Sequence, residues 1–482
     1  MKKNTLINFK SLLLATCMML TVITANAQIQ KGADIDGEAA EDQSGRSISM
    51  PDANTLAIGA YYNDGAGFNA GHVRVYNWSG TAWVQKGADI DGKLKSDNFG
   101  GSVSMPDANT IAIGAYYSGR GLAMGYSQIY TWNGTAWVQK GADIDGDGDN
   151  SGYTVSMPDT NTIAIGNHVS FNKVRVYNWN GTAWKQKGAN IDGEAADDKS
   201  GCSVSMPDAN TIAIGAPSND GNGYNAGHVR VYNWNGIAWV KKGADIDGEA
   251  AYDESGSSIS MPDVNTLAIG APGNANAGHV RVYNWNGTTW VQKGADIDGK
   301  VPLDYSGYSV SMPDANTLAI GAPNDYGGNV GGKVRIYNWN GTSWVQKGSD
   351  IYGETGGDWS GGTLNMPDGN AIAIGAPSND GNGEAAGHVR VYSMGSLDVL
   401  ENSVGNTLEI YPNPAKSVIN VKTADTKLLG MAYSIYDNSG KMVLSGKINS
   451  ENTSIELGNL AAGIYMLSIA ENMKQTFKVI KK

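Results

Sequence analysis

The chain has 482 residues, of which 65 are Gly, 41% are hydrophobic and only 17% are charged. That balance is too apolar for disorder, and the glycines have no three-residue period, so neither an unfolded chain nor a collagen-like one fits. The formal charge of -12 repels phosphate backbones and anionic lipid, which argues against a nucleic-acid binder.

Residues 1–27 read as a secretory leader. Lys2, Lys3 and Lys10 form a basic start, Ser11–Ile23 an apolar stretch, and Ala25-Asn26-Ala27 a small-residue cleavage site, with the cut expected between Ala27 and Gln28. The apolar stretch is too short to span a bilayer, and no other stretch is long and apolar enough, so no transmembrane segment is expected in the mature protein. Of the two cysteines, Cys17 lies in the leader, which leaves Cys202 alone and excludes an intrachain disulfide.

Residues 28–395 are dominated by an internal repeat. Met-Pro-Asp recurs at Met50, Met105, Met157, Met206, Met261, Met312 and Met366, a period of about 50 residues. In the fifth copy, extended runs are predicted at Ser257–Met261, Thr266–Ala271, His279–Trp285 and Thr289–Ile297, with turn residues between them. Four strands per repeat with no helical period predict the blades of a β-propeller. The second strand alternates Leu267 and Ile269 with Ala268 and Gly270, so a small-residue face can receive a neighbour's bulky one. Asn286-Gly287 predicts a type I′ hairpin that sets Trp285 opposite Thr288 and Tyr283 opposite Trp290. Twelve of the 13 Trp fall in such pairs, which makes them structural; Trp359 alone does not.

The array begins with a lone fourth strand at Ile29–Gly37 and ends on a third strand at His388–Tyr392. Those fragments complement each other, so seven blades are expected, with the first strand closing the last blade. The unit at 200–217, Ser-Gly-Cys-Ser-Val-Ser-Met-Pro-Asp-Ala-Asn-Thr-Ile-Ala-Ile-Gly-Ala-Pro, followed by His228-Val229-Arg230-Val231-Tyr232, resembles the FG-GAP repeat of integrin α-like propellers. All seven units share the likeness, although Phe-Gly itself occurs only at Phe99-Gly100. The resemblance implies the propeller fold. The family's calcium loops, between the first and second strands, have no counterpart in the tight turns found here.

Chemistry-bearing residues are sparse. His72, His228, His279 and His388 hold the same strand-three position in four blades, where symmetry keeps them from meeting on one metal, and a packing role is expected. His168 is a lone loop histidine, and Cys202 an incidental thiol in a slot held elsewhere by Arg46, Gly101, Tyr153, Ser257, Tyr308 and Gly362. Asp143-Ile144-Asp145-Gly146-Asp147-Gly148-Asp149 opens like a calcium loop, so Asp143, Asp145, Asp147 and Asp149 are the candidate calcium ligands; Ser151 and Thr154 depart from the pattern further on. No other cofactor is expected.

An acid recurs two residues before the Ser-Gly or Phe-Gly of every copy: Asp42, Asp97, Asp149, Asp198, Asp253, Asp304 and Asp358. Its expected work is to accept backbone N–H bonds in the loop between blades. The residue after it varies, as a recognition surface does on a fixed frame. Trp359, Tyr305, Tyr308, Tyr326, Glu254 and Lys199 are the candidate ligand-binding residues, on one acidic, aromatic face.

After a polar linker at 396–406 the texture changes to short alternating strands. Leu408-Glu409-Ile410-Tyr411-Pro412-Asn413-Pro414, Tyr436-Asp437-Asn438-Ser439-Gly440-Lys441, Leu460-Ala461-Ala462-Gly463-Ile464-Tyr465 and the basic end resemble the type A C-terminal sorting domain of the type IX secretion system. That resemblance covers 407–482 and implies a small Ig-like β-sandwich, partnership with the type IX machinery, and a secreted or surface location. Tyr411, Pro412, Asn413, Pro414, Gly463 and Tyr465 are its sorting-motif residues.

The expectation is therefore an exported, all-β, seven-bladed propeller with a sorting domain, acting as a non-enzymatic binding or adhesion module for an extracellular glycan or protein. The competing expectation is a glycan-active lyase or hydrolase on the same scaffold.

Overall fold

The computed structural model describes residues 27–117, 125–146, 150–167, 172–324, 331–395, 408–423, 428–437, 442–469 and 475–482. Residues 1–26 of the leader, Asp147, Asp149, His168 and Tyr326 lie outside them. The described residues fall into two compact units, Ala27–Gly395 and 408–482.

Seven antiparallel sheets of like order make up the first unit. In the fifth, Ser258–Asp263, Thr266–Ala271, His279–Trp285 and Trp290–Gln292 pair in sequence, and Ile297–Asp298 returns to the third strand. The second and third strands match the sequence expectation to the residue. The first runs on through Pro262, because a bulge between Ser260 and Asp263 takes the proline out of the hydrogen-bond ladder. The expected fourth strand is broken in two. Gly294, at φ +84, turns the chain out of the sheet against Trp339 of the next blade.

The hairpin register also differs from expectation. Trp285 pairs with Trp290 and Tyr283 with Gln292. A type I′ turn needs positive φ at both central residues, and here only Gly287 has it. The Asn286 side chain instead accepts the amides of Thr288 and Thr289, which makes a four-residue loop.

Blades stack as the alternation in strand two requires. Leu267 and Ile269 pack on Ala213, Val229 and Val231 of the preceding blade. On the other face Gly270 lies so close to the next blade that a Cβ would strike the carbonyl of Gly307. The innermost strands are joined by two rings of hydrogen bonds. Each Met amide of Met-Pro-Asp donates to the preceding blade, Met105 to Ser49 Oγ at 2.9 Å and so on round to Met50 on Asn365 Oδ1 at 2.8 Å. Hydroxyls at Ser47, Ser258 and their counterparts donate to glycine carbonyls of the next blade, ending with Thr363 on Gly45. The ring is closed by Ala27–Gln30, paired antiparallel with His388–Gly395 in register Ala27 to Gly395 and Gln30 to Tyr392. Gln28, expected to follow the cleavage point, lies in this strand.

The second unit is a β-sandwich. Leu408–Tyr411, Val418–Thr423 and Asn452–Glu456 form one sheet, and Met442–Lys447, Ala432–Tyr436, Gly463–Ile469 and Gln475–Lys481 the other. Ile419, Val421, Ile435, Leu467 and Val479 are core between them. Pro412 and Pro414 each follow a cis peptide bond, and Asn413 between them donates to Lys478 O and accepts from Ile480 N, pinning the motif to the last strand. Tyr465 donates to Ala461 O, and Gly463 opens its strand.

Candidate functional site

The loop that enters each blade is built around the repeated acid. Asp253 is buried and accepts the amides of Glu249 and Ala250 at 2.9 and 2.8 Å. Asp42, Asp97, Asp198, Asp304 and Asp358 accept equivalent amides. The carboxylates are thereby consumed as loop anchors.

The variable residue after the acid has a property the sequence did not disclose. In all seven blades it lies in the left-handed region: Gln43 (φ 51), Asn98 (51), Asn150 (50), Lys199 (56), Glu254 (54), Tyr305 (53) and Trp359 (60). Asn adopts this conformation readily, and Asn98 and Asn150 are buried. The other five residue types do so at a cost of about 1 kcal/mol each, yet none of the seven positions has become Gly. Strain of this kind is retained where a side chain is needed.

The face they share opens on an axial cavity of about 710 Å³. Lys199, Glu254, Tyr305 and Tyr308 line it; the loops that follow strand two reach it through Pro217, Pro272 and Gly273, and the blade-entry loops through Lys199 and Glu254. Trp359 lines an adjoining pocket with Gln43, Arg46 and Tyr308, its ring edge-on to Tyr308 at 5.4 Å. Five of the six candidate residues thus come together, and Tyr326 is outside the described residues.

Sequence reasoning missed the centre of the site. The slot assigned to an incidental Cys202 is the ring of side chains nearest the axis, and all seven of its members, Arg46 and Tyr153 included, line the cavity. Tyr61 and Tyr116 join them from the end of strand two, where the fourth and fifth blades carry Pro217 and Pro272. The signal was available: tyrosines replacing a proline in two adjacent repeats. Ring centroids lie 6.3 Å apart for Tyr61 and Tyr116 and 5.5 Å for Tyr116 and Tyr153, an arc of phenols beside Arg46.

The electrostatics follow from burial. Burial pushes the Tyr116 hydroxyl up to about 12 and the Tyr61 and Tyr153 hydroxyls up as well, so all three stay neutral donors. Burial likewise pushes the half-buried Cys202 thiol up to about 11, leaving no thiolate near neutral pH. Arg46 is tied through its amide to Gln43 O, while its guanidinium has no hydrogen-bond or ion-pair partner among the described residues. Among the described lining residues, Arg46 and Lys199 face one carboxylate, Glu254, so that lining is net positive in an acidic chain.

At the candidate calcium loop, Asp143 accepts from Lys93 Nζ (2.9 Å), Gln128 Nε2 (2.7 Å) and Gln139 Nε2 (2.8 Å). Partial burial raises its carboxyl, but these bonds outweigh that and hold it at about 2. Calcium there would have to displace an ammonium. Asp145 lies on a strand opposite Tyr126. The strand-three histidines do not converge; each stands at a separate seam between blades.

Residues 409–482 match the secretion system C-terminal sorting domain. The protein is accordingly exported by type IX secretion to the cell surface or extracellular space. No curated protein matches the chain. Among solved structures it is similar to PorZ, an essential bacterial surface component of the type-IX secretion system of Porphyromonas gingivalis, at 12% identity and a TM-score of 0.38, over 90% of this chain and 65% of that one. It is also similar to Sqt1 from Chaetomium thermophilum (13%, 0.48, 94% and 100%). A third likeness is to a putative 6-phosphogluconolactonase from Bacteroides fragilis (11%, 0.45, 65% and 85%). The chain spans just under two thirds of PorZ.

Proposed function

We propose that the propeller is a non-enzymatic, extracellular binding module of the FG-GAP kind without its calcium loops, and that it holds an acidic saccharide at the axial mouth. The observation that carries this reading is the set of five costly left-handed residues around the cavity. A backbone kept strained while its side chains vary is suited to display. The phenol arc offers faces for sugar rings and neutral hydroxyl donors, and the unpaired Arg46 guanidinium suits a carboxylate in bidentate geometry.

Catalysis by paired carboxylates has no support, since Glu254 is the one acid among the described lining residues. Phenols pushed up by burial, Tyr116 to about 12, are also poor general bases at neutral pH.

The test is binding of the secreted protein to polygalacturonate, to its methyl ester and to a neutral glucan. Preference for the free acid, lost at least tenfold in Arg46→Gln, supports the reading. Equal binding to ester and acid, or release of shortened products, overturns it.

A further inference from the structure

Four of the seven seams between blades carry the same three side chains. His72 meets Glu38 and Asp89; His228 meets Glu194 and Asp245; His279 meets Glu249 and Asp296; His388 meets Glu354 and Asp34. In each, the glutamate comes from the loop leaving the preceding blade, while the histidine opens strand three and the aspartate precedes the last short strand of the next blade. At the closing seam Asp34 comes from the start of the propeller and His388 from its end.

The histidines are only 1–2% exposed, yet neither ring nitrogen makes a hydrogen bond. Nε2 is buried without a partner in all four. Nδ1 faces the carboxylates across gaps too long for a hydrogen bond: 3.8 and 3.7 Å from Glu38 and Asp89, 3.9 and 3.9 Å from Glu249 and Asp296, 4.0 and 3.7 Å from Glu354 and Asp34, and, at the His228 seam, 4.0 Å from Glu194 and 3.9 Å from Asp247, which stands nearer than Asp245. All three ligand atoms lie within 4.8 Å of one another. A point equidistant from the corners of such a triangle is about 2.1–2.5 Å from each, the bond length of a divalent ion to nitrogen and oxygen. The neighbouring arginine does not fill that place. Arg74 Nη1 lies 3.6 Å from Oε1 of Glu38 and leaves Oε2 to the histidine. With a neutral imidazole, one guanidinium and two carboxylates, the His72, His279 and His388 clusters keep a net negative charge, while Lys241 brings the His228 cluster to neutral.

The seams without histidine supply the second observation. Where Glu38 is replaced by Lys93, the ammonium sits on Asp143, the counterpart of Asp89, and Tyr126 takes the histidine's position. Where it is replaced by Lys300, the ammonium sits 3.4 Å from Asp350, and Lys333 takes the histidine's position and pairs with Asp304 at 2.7 Å. At these two seams the chain brings its own cation to the aspartate. Histidine and glutamate appear together at four other seams, and at three of these no lysine among the described residues reaches the aspartate; at the fourth, Lys241 sits 2.8 Å from Asp245.

We infer that each of the four His-Glu-Asp seams binds one divalent transition-metal ion of the zinc class, through His Nδ1, a glutamate oxygen and an aspartate oxygen, with water completing the shell. The ions would fasten adjacent blades, and the one at Asp34, Glu354 and His388 would clasp the two ends of the ring.

The experiment uses the untagged full chain, stripped with chelator and titrated with Zn²⁺ by calorimetry and elemental analysis. The expected result is four equivalents and a melting temperature raised by zinc. Each of His72→Lys, His228→Lys, His279→Lys and His388→Lys, which copy the residue found at position 333, should remove one equivalent. Should those variants fold poorly, the Glu38→Gln, Glu194→Gln, Glu249→Gln, Glu354→Gln quadruple serves instead, because these side chains are 45–46% exposed and hold no core. It should weaken all four sites at least tenfold. Fewer than one equivalent in the parent, or four unchanged equivalents in the quadruple, overturns the inference.

Discussion

The outer rim and the axial mouth of the propeller are built from the same repeat in opposite ways. At the rim, backbone and side chains both recur. Lys242 inserts between Trp285 and Trp290 of the next blade, 5.3 Å from each ring. Its ammonium bonds Val264 O and Asn265, and the Trp290 indole N–H returns to Lys242 O. The same clamp is present from Lys31 with Trp78 and Trp83 to Lys293 with Trp339 and Trp344. At the mouth the anchoring acid and its bonded amides recur, but at the left-handed residue after it only the backbone does, while the displayed side chain changes. Recurrence of the side chain marks what holds the ring together; recurrence of the backbone alone marks what the ring presents.

The sharpest way to break that contrast is to open the ring. Deleting residues 28–36 removes the strands paired with His388–Gly395 and bares a sheet edge. The expected outcome is aggregation and a much lower melting temperature, read by light scattering and calorimetry. Next comes the clamp. Trp290→Ala should cost about 3–5 kcal/mol in denaturant unfolding, because it empties a well-packed, hydrogen-bonded site. Asp253→Ala, which removes a buried carboxylate and leaves the amides of Glu249 and Ala250 without their acceptor, should cost about 1–3 kcal/mol by the same measurement. Trp359→Ala should stay within about 1 kcal/mol of the parent while weakening ligand binding, and a loss like that of Trp290→Ala would place Trp359 in the core. The smallest effect concerns acid. Asp143 titrates near 2 when folded and higher when unfolded, so its stabilisation is present above the unfolded value and lost as pH falls from about 4 to about 2. Asp143→Asn should flatten stability across that window.

Much of the fold was legible because each blade repeats its own punctuation. The Met-Pro-Asp period, the alternation in strand two and the complementary ends gave seven blades and their closure. What failed were readings that depend on a single dihedral. Asn286-Gly287 looks like a two-residue turn, and only the φ of Asn286 shows that its side chain caps a longer loop. The same applies to the mouth. Variation at Lys199, Glu254, Tyr305 and Trp359 was visible, but its energetic cost lies in backbone geometry that residue types do not state. Arg46 and Tyr153 were passed over because their slot also holds Gly101 and Gly362, and a position occupied by Gly suggests no chemistry until the axis brings all seven together. The histidines were correctly kept apart, yet the glutamate that accompanies each lies in the preceding repeat, outside the unit being compared.

One measurement bears on the contrast between rim and mouth most directly. Gln43, Lys199, Glu254, Tyr305 and Trp359 are replaced together by Gly, which relieves five left-handed residues and removes five displayed side chains, and the variant is assayed for melting and for polygalacturonate binding. The account predicts a melting temperature equal to or above that of the parent, with binding abolished. Unchanged binding, or a chain that no longer folds, would contradict it.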